Sequence, residues 1–181
     1  KDRNISMESL YEYGSRRGFW RLHKLFQGKK TPITMFGVGM ALEKNPEVCK
    51  AIIEAGYEVA SHGWRWIDYQ NIKKSEEKKH MNLAIKSHTK IFGERPTGWY
   101  TGRCSPNTRD LVMEDGGFLY DSDSYSDDLP YWENRNKKKQ LIIPYTLDNN
   151  DMRFATNQGF NSGEQFYTYL KDSFDALYKE G

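Results

Sequence analysis

The sequence predicts one α/β domain, residues 1–181, built on a largely parallel sheet. Three observations predict it. Amphipathic helical stripes alternate with short apolar runs, the rhythm of helix–strand units rather than of an all-helical or all-strand chain. Gly, Pro and Asn fall at the junctions between them. A chain of 181 residues, 37% hydrophobic and 14% aromatic, is also large enough to bury a core without disulfides or a structural metal.

The first helical stripe covers residues 15–27, with Phe19, Leu22, His23 and Phe26 on one face. An apolar run at 33–36 reads as a strand. The next helix should be capped by Asn45, start on Pro46, turn Val48, Ala51, Ile52 and Ala55 inward and stop at Gly56. A strand at 57–60 follows, then a helix over 75–92 with Met81, Ala84, Ile85, His88 and Phe92 on one face. Strands at 98–101 and 118–120 flank a short helix that follows Ser105, with Pro106 at its first position. After a strand at 141–145, the last helix runs over 162–179. It opens on a Ser162–Gln165 capping box and buries Phe166, Leu170, Phe174 and Leu177. This periodicity fits an open sheet and a closed barrel alike.

Composition excludes several classes. Twenty-seven Lys and Arg against 25 Asp and Glu leave +2, so no broad field points to nucleic acid or to an anionic membrane. Mean hydropathy is −0.87, and no stretch approaches the roughly 20 apolar residues of a membrane span. The basic clusters Lys73-Lys74, Lys78-Lys79 and Lys137 to Lys139 read as solvated helix faces and a hairpin tip. Cys49 and Cys104 form no CxxC motif and no disulfide framework, so the default compartment is a reducing cytoplasm. The opening Lys1-Asp2-Arg3-Asn4 lacks an initiator Met and a secretory signal pattern, and the chain stops just after a helical pattern; a piece of a longer protein is expected.

In parallel α/β sheets, chemistry sits on the loops beyond the carboxyl ends of the strands. Those positions hold Gly37-Val38-Gly39, Ser61 to Trp66, Thr101 to Ser105, Asp121 to Asp123, Asp127 to Trp132, and Thr146 to Arg153. A histidine, arginines, carboxylates and aromatics thus share one rim, which suits a hydrolase of a small polar substrate. His62 directly follows a strand and is the candidate proton-transfer group. His23 and His88 lie on apolar stripes and should be packed, and His80 should be at the surface. Asp127, Asp128, Asp148, Asn150 and Asp151 fit either a site or ordinary turn chemistry. Cys104 has no His partner in sequence that would make it a nucleophile.

The string Gly56-Tyr57-Glu58-Val59-Ala60-Ser61-His62-Gly63 resembles the polysaccharide deacetylase superfamily, whose strand ending in Ser-His-Gly supplies a metal-binding histidine. Longer strings resemble its metal-independent allantoinase branch: Ser9 to Arg16, Gly39 to Leu42, Ser61 to Tyr69, Gly98 to Arg103, Tyr120 to Trp132, and Ile143 to Phe154. Together these cover nearly the whole chain. The resemblance implies a distorted (β/α) barrel, here incomplete because the superfamily's first acidic motif and last Leu-x-His motif are absent. It also implies opening of the hydantoin ring of allantoin by water, a small-molecule substrate, a homo-oligomer (a homotetramer) and no cofactor.

The superfamily's deacetylases bind a divalent metal with an Asp and two histidines, the second four residues after the first. Here that position is Trp66, and an indole has no lone pair for a metal. No metal is therefore expected. Within the matching strings, the catalytic candidates are His62, Glu12, Arg103 and Asp148, with the activating carboxylate either Glu12 or a residue outside this chain. Arg16, Trp64, Trp66, Tyr100, Asp128, Tyr131, Trp132 and Asn150 are the substrate-binding candidates. Two rival readings stay open: a metal-dependent deacetylase of an N-acetylated substrate, and a non-catalytic carbohydrate-binding module.

Overall fold

A computed structural model describes residues 3–181, so Lys1 and Asp2 of the opening lie outside it. The elements in chain order are α1 (Ile5–Tyr13), α2 (Phe19–Lys29), β1 (Thr34–Gly37), α3 (Gly39–Lys44), α4 (Pro46–Ala55), β2 (Glu58–Ser61) and α5 (Lys74–Phe92). Then follow β3 (Gly98–Trp99), α6 (Thr108–Asp115), β4 (Tyr120–Asp121), β5 (Tyr131–Arg135), β6 (Lys138–Ile142) and α7 (Gly163–Glu180). The strand order is β1-β2-β3-β4-β6-β5, parallel throughout except for the β5–β6 hairpin. The sheet is open, with β1 and β5 at its edges. This is the expected α/β fold, a distorted barrel that does not close.

Several boundaries differ from the sequence reading. The first helix begins ten residues earlier than expected, because the Asn4 side chain accepts from Met7 N at 3.0 Å and caps it. A π-helical turn, Gly14–Gly18, joins α1 to α2. Phe19, His23 and Phe26 are half-buried as read, but Leu22 is exposed. Asn45 does not cap α4 with its side chain, which instead donates to Ala41 O at 2.7 Å. Pro106 lies in the turn ahead of α6, where the Ser105 and Thr108 hydroxyls receive the free backbone N–H groups. Phe174 and Leu177 of α7 are exposed, although Ser162 caps that helix as expected. The hairpin tip read near Lys137 is present and turns on Asn136 and Lys137, both at positive φ, as a two-residue turn requires; the bounds of its first strand, β5, carry no sequence signal.

The main core sits where α5 and α6 cover the sheet: Met81, Ala84, Trp99, Leu111, Val112 and Phe118 pack together, with Trp64 and Ile85 against them. A second cluster of Leu42, Cys49 and Ile52 joins α3 and α4 to the other end. Glu77 of α5 is buried, and its carboxylate accepts from the Ser105 hydroxyl at 2.5 Å and from the Thr108 hydroxyl. That charge at the N-terminus of α6 is favourably placed against the helix dipole. His88 is fully buried and its Nε2 donates to Gly37 O at 3.1 Å; burial pushes its pKa down. His80 is a correction to the surface reading: its side chain is only 13% exposed and bonds Tyr69 Oη at 3.1 Å. Among the described residues, no helix is long and apolar enough to cross a membrane.

Candidate active site

Four loops meet beyond the carboxyl ends of β2, β3, β4 and β6. The loop after β2 is tied to its neighbours by backbone bonds: His62 N to Gly37 O (2.8 Å), Gly39 N to Gly63 O (2.9 Å) and Tyr69 N to Arg103 O (3.0 Å). His62 lies half-buried at their junction, stacked on Tyr100 with centroids 5.2 Å apart and planes 12° apart. Its Nδ1 is 2.6 Å from Tyr100 O. A carbonyl only accepts, so Nδ1 carries the proton, and in the neutral ring Nε2 is the nitrogen with the lone pair. Tyr100 stacks in turn on Tyr145 at 4.6 Å and meets the Tyr125 hydroxyl at 3.1 Å. Burial, then the bond to Tyr125, push the Tyr100 phenol up, so it stays neutral. Burial likewise pushes the Cys104 thiol up, away from the reactive thiolate.

The Arg103 guanidinium lies over the Trp66 ring at 4.6 Å, and Tyr11 of α1 meets the same indole edge-on at 6.4 Å. Glu12 of α1 and Arg16 of the π-helical turn pair with each other at 3.0 Å, both side chains exposed. Trp64 is placed differently from the pocket wall expected of it. It is wedged over Gly39, where a Cβ would come within 2.7 Å of its ring, and it packs on the core.

On the other side, Tyr125, Tyr145, Asp128 and Asp148 line one cavity of about 440 Å³ with Ser126, Asp127, Thr146 and Leu147. The chain thus brings Asp128 and Asp148 together across two loops. Asn150 donates to Tyr145 Oη at 2.5 Å, and its Oδ1 accepts from Met152 N at 2.7 Å, capping the 3-10 turn Asp151–Ala155. Tyr131 Oη meets the Ser124 and Ser126 hydroxyls at 2.9 and 3.2 Å. Trp132 is not on this rim. Strand alternation turns it to the opposite face, where Lys139 covers it and it shares a cavity with Met113 and Phe118.

Sequence reasoning listed Asp121 and Asp123 on the rim but gave them no role, and it missed Arg109. Asp121 is fully buried at the end of β4, its Oδ2 2.9 Å from Arg109 Nη1. Arg109 sits in the first turn of α6, where the helix dipole disfavours a cation; that misplacement was the available signal for a specific partner. Burial pushes the Asp121 carboxyl up to about 7, outweighing Arg109, with Asp123 adding to the rise. A raised folded-state value means that Asp121 contributes stability fully below its ordinary 3.8 and loses it as pH rises through about 7. Asp121→Asn should therefore flatten the decline of stability between about pH 4 and 7, measured by urea unfolding across that range. Equal slopes in the two proteins would contradict this.

The sequence profile of the family described as "Polysaccharide deacetylase" matches residues 3–115. The chain belongs to the polysaccharide deacetylase family. It is similar over 99% of its length, at 60% identity and a TM-score of 0.96, to the crystal structure titled "Puue Allantoinase", of which it covers 60%. A "probable Polysaccharide deacetylase" from Pseudomonas aeruginosa PAO1 gives 60% identity and a TM-score of 0.95 over 99% of this chain and 60% of that one. A Schizosaccharomyces pombe (strain 972) protein named "Putative polysaccharide deacetylase" is 45% identical over 99% of this chain and 61% of its own length. The chain therefore spans about 60% of the length of these relatives.

The family's divalent metal site does not fit the residues present. His62 supplies one nitrogen at most, since Nδ1 is committed to Tyr100 O. Four residues on, Trp66 offers a ring without a lone pair, and that ring is stacked under Arg103. Among the described residues, no group of three or more His, Cys, Asp or Glu could hold a metal ion.

Proposed function

We propose that the full-length protein hydrolyses a C–N bond of a cyclic amide, opening the hydantoin ring of allantoin to allantoate, with water as nucleophile and no metal. The observation that carries this reading is the Arg103–Trp66 stack: an indole stands at the position of a metal-binding histidine, and it holds a guanidinium at 4.6 Å. A flat cation held on the loop that carries His62, through Trp66, would supply planar bidentate bonds to ureido oxygens and to the developing oxyanion, charge that a metal would otherwise meet. The similarity to the Puue allantoinase at 60% identity supports the same substrate class.

A carboxylate, Glu12 or one outside this chain, activates the water. The water oxygen bonds to the ring carbonyl carbon and the ring C–N bond breaks. The departing nitrogen takes one of the water's protons, and the carbon is released as a carboxylate, the second proton passing to solvent. His62 Nε2, with its lone pair uncommitted, carries the proton between the two steps. Asp148 and Asp128 bind the ureido N–H groups from the opposite loops, and Tyr100, Tyr131, Asn150 and Arg16 complete the binding set. Trp64 and Trp132, placed in the core and on the far face, act only through packing.

The test is an assay of full-length protein on allantoin and on chitin oligomers side by side, with and without a chelator. Allantoate formation that survives chelation is expected. The names of two of the similar proteins favour a second reading, a polysaccharide deacetylase, for which the mechanism to test is a metal-dependent one. Chelator-sensitive acetate release with allantoin untouched would establish it and sink the first. Arg103→Ala should lower kcat/KM on allantoin by about 30-fold or more, the scale of a lost charged hydrogen bond of about 2 kcal/mol. Arg103→Lys should recover little, because an ammonium cannot reproduce the planar fork. Full recovery by Lys would show that only charge matters there.

A further inference from the structure

We propose that Asp123 is the positioning residue for His62, acting through the single peptide that joins Tyr100 to Thr101. A peptide unit is a rigid plane, with its C=O and N–H pointing from opposite edges. His62 Nδ1 donates to the carbonyl of this unit at 2.6 Å. The N–H of the same unit, on Thr101, donates to Asp123 Oδ1 and Oδ2 at 3.0 and 2.9 Å. Imidazole and carboxylate therefore grip opposite edges of one plane. Neither can change its bond without turning the unit that the other holds.

The rest of the geometry makes Asp123 a clamp rather than a passing contact. Its carboxylate also accepts from Gly102 N at 2.7 Å and from Thr101 Oγ1 at 2.9 Å. Gly102 has φ +67, a conformation that lets two successive N–H groups converge on one anion and that costs glycine nothing. Asp123 is itself pinned from behind: its N–H donates to Asp121 Oδ1 at 2.8 Å, and its carbonyl accepts from Arg109 Nη2 at 3.0 Å. The buried Asp121–Arg109 pair so gains a purpose, anchoring the clamp to β4 and α6.

Donation from an amide N–H to a charged acceptor polarises the amide and strengthens its carbonyl as an acceptor. The carbonyl facing His62 is thereby made a better partner for Nδ1–H, and the tautomer with an uncommitted Nε2 is favoured. This inference rests on the reading of His62 as the proton-transfer group only for its catalytic consequence. The tautomer itself is independent of substrate.

The experiment reads ring ¹⁵N shifts of His62 at neutral pH, assigned by their loss in His62→Gln, beside steady-state kinetics of the full-length protein on allantoin. Wild type should show Nδ1 protonated. Asp123→Asn offers one acceptor oxygen and an NH₂ group that faces the backbone donors. It should shift the tautomer ratio several-fold toward Nε2–H and lower kcat about 10-fold or more, with KM changed less. Thr101→Val, which removes only the hydroxyl donor, should move the ring shifts in the same direction by less. Unchanged ring shifts in a folded Asp123→Asn protein would overturn the proposal. If Asp123→Asn does not fold, unchanged shifts in Thr101→Val overturn it instead. Ring shifts that move while no variant or wild type hydrolyses allantoin would uphold the positioning role and overturn the hydrolase reading.

Discussion

Replacing His62 by Ala in the full-length protein is expected to lower turnover of allantoin by about 100-fold or more, the usual scale for a positioned acid or base. The loss should appear in kcat, because the ring serves proton transfer more than substrate binding. Folding should survive. His62 is only half-buried, and its backbone bond to Gly37 O at 2.8 Å does not depend on the side chain. Tyr100 keeps its stack on Tyr145 and its edge contact with Phe36 at 5.3 Å, so the rim retains its wall. Circular dichroism and thermal unfolding of the same preparation separate the two effects. A folded His62→Ala protein with wild-type turnover and pH profile would show that the imidazole only packs.

The second large effect is on stability. Gly98→Val should cost about 3 kcal/mol, the upper end of overpacking penalties. For a chain of this size that is a fall of roughly 6–12 °C in Tm. Strand propensity alone argues the opposite sign, since Val suits a strand and Gly weakens one. The reason lies across the sheet. Gly98 of β3 pairs with Tyr120 of β4, and a Cβ at Gly98 would be driven into the Tyr120 ring. That ring crosses the bare glycine so that its hydroxyl donates to Glu58 of β2 at 3.1 Å. Glu58 also receives the Thr97 hydroxyl at 2.8 Å and the Thr34 hydroxyl, so three elements are cross-linked on one carboxylate. The same substitution in a Tyr120→Ala background should cost much less. An equal loss in both backgrounds would locate the penalty elsewhere.

Much of this protein is determined locally and was legible in the chain. The α/β class follows from periodicity, because amphipathic faces and short apolar runs commit their residues to one side of an element before any packing is known. Gly56 ends α4 at φ +65, and Ser162 starts α7 with its own oxygen, each within a few residues of the signal. His62 past a strand end and Trp66 four residues on are likewise fixed by spacing. The tertiary structure alone decided the rest. Trp64 and Trp66 are two residues apart, yet one is wedged on Gly39 in the core and the other lies open under Arg103. Trp132 was read onto the rim and faces away, because the bounds of the strand ahead of the hairpin tip were not legible and a strand's side chains alternate. Phe174 and Leu177 have the helical spacing of core residues and are exposed, since burial depends on a partner surface that periodicity does not supply. The Asp121–Arg109 pair and the Asp123 clamp bring together residues up to 22 apart in sequence. A hydrogen bond depends on positions within a fraction of an ångström, and only the folded sheet sets those positions.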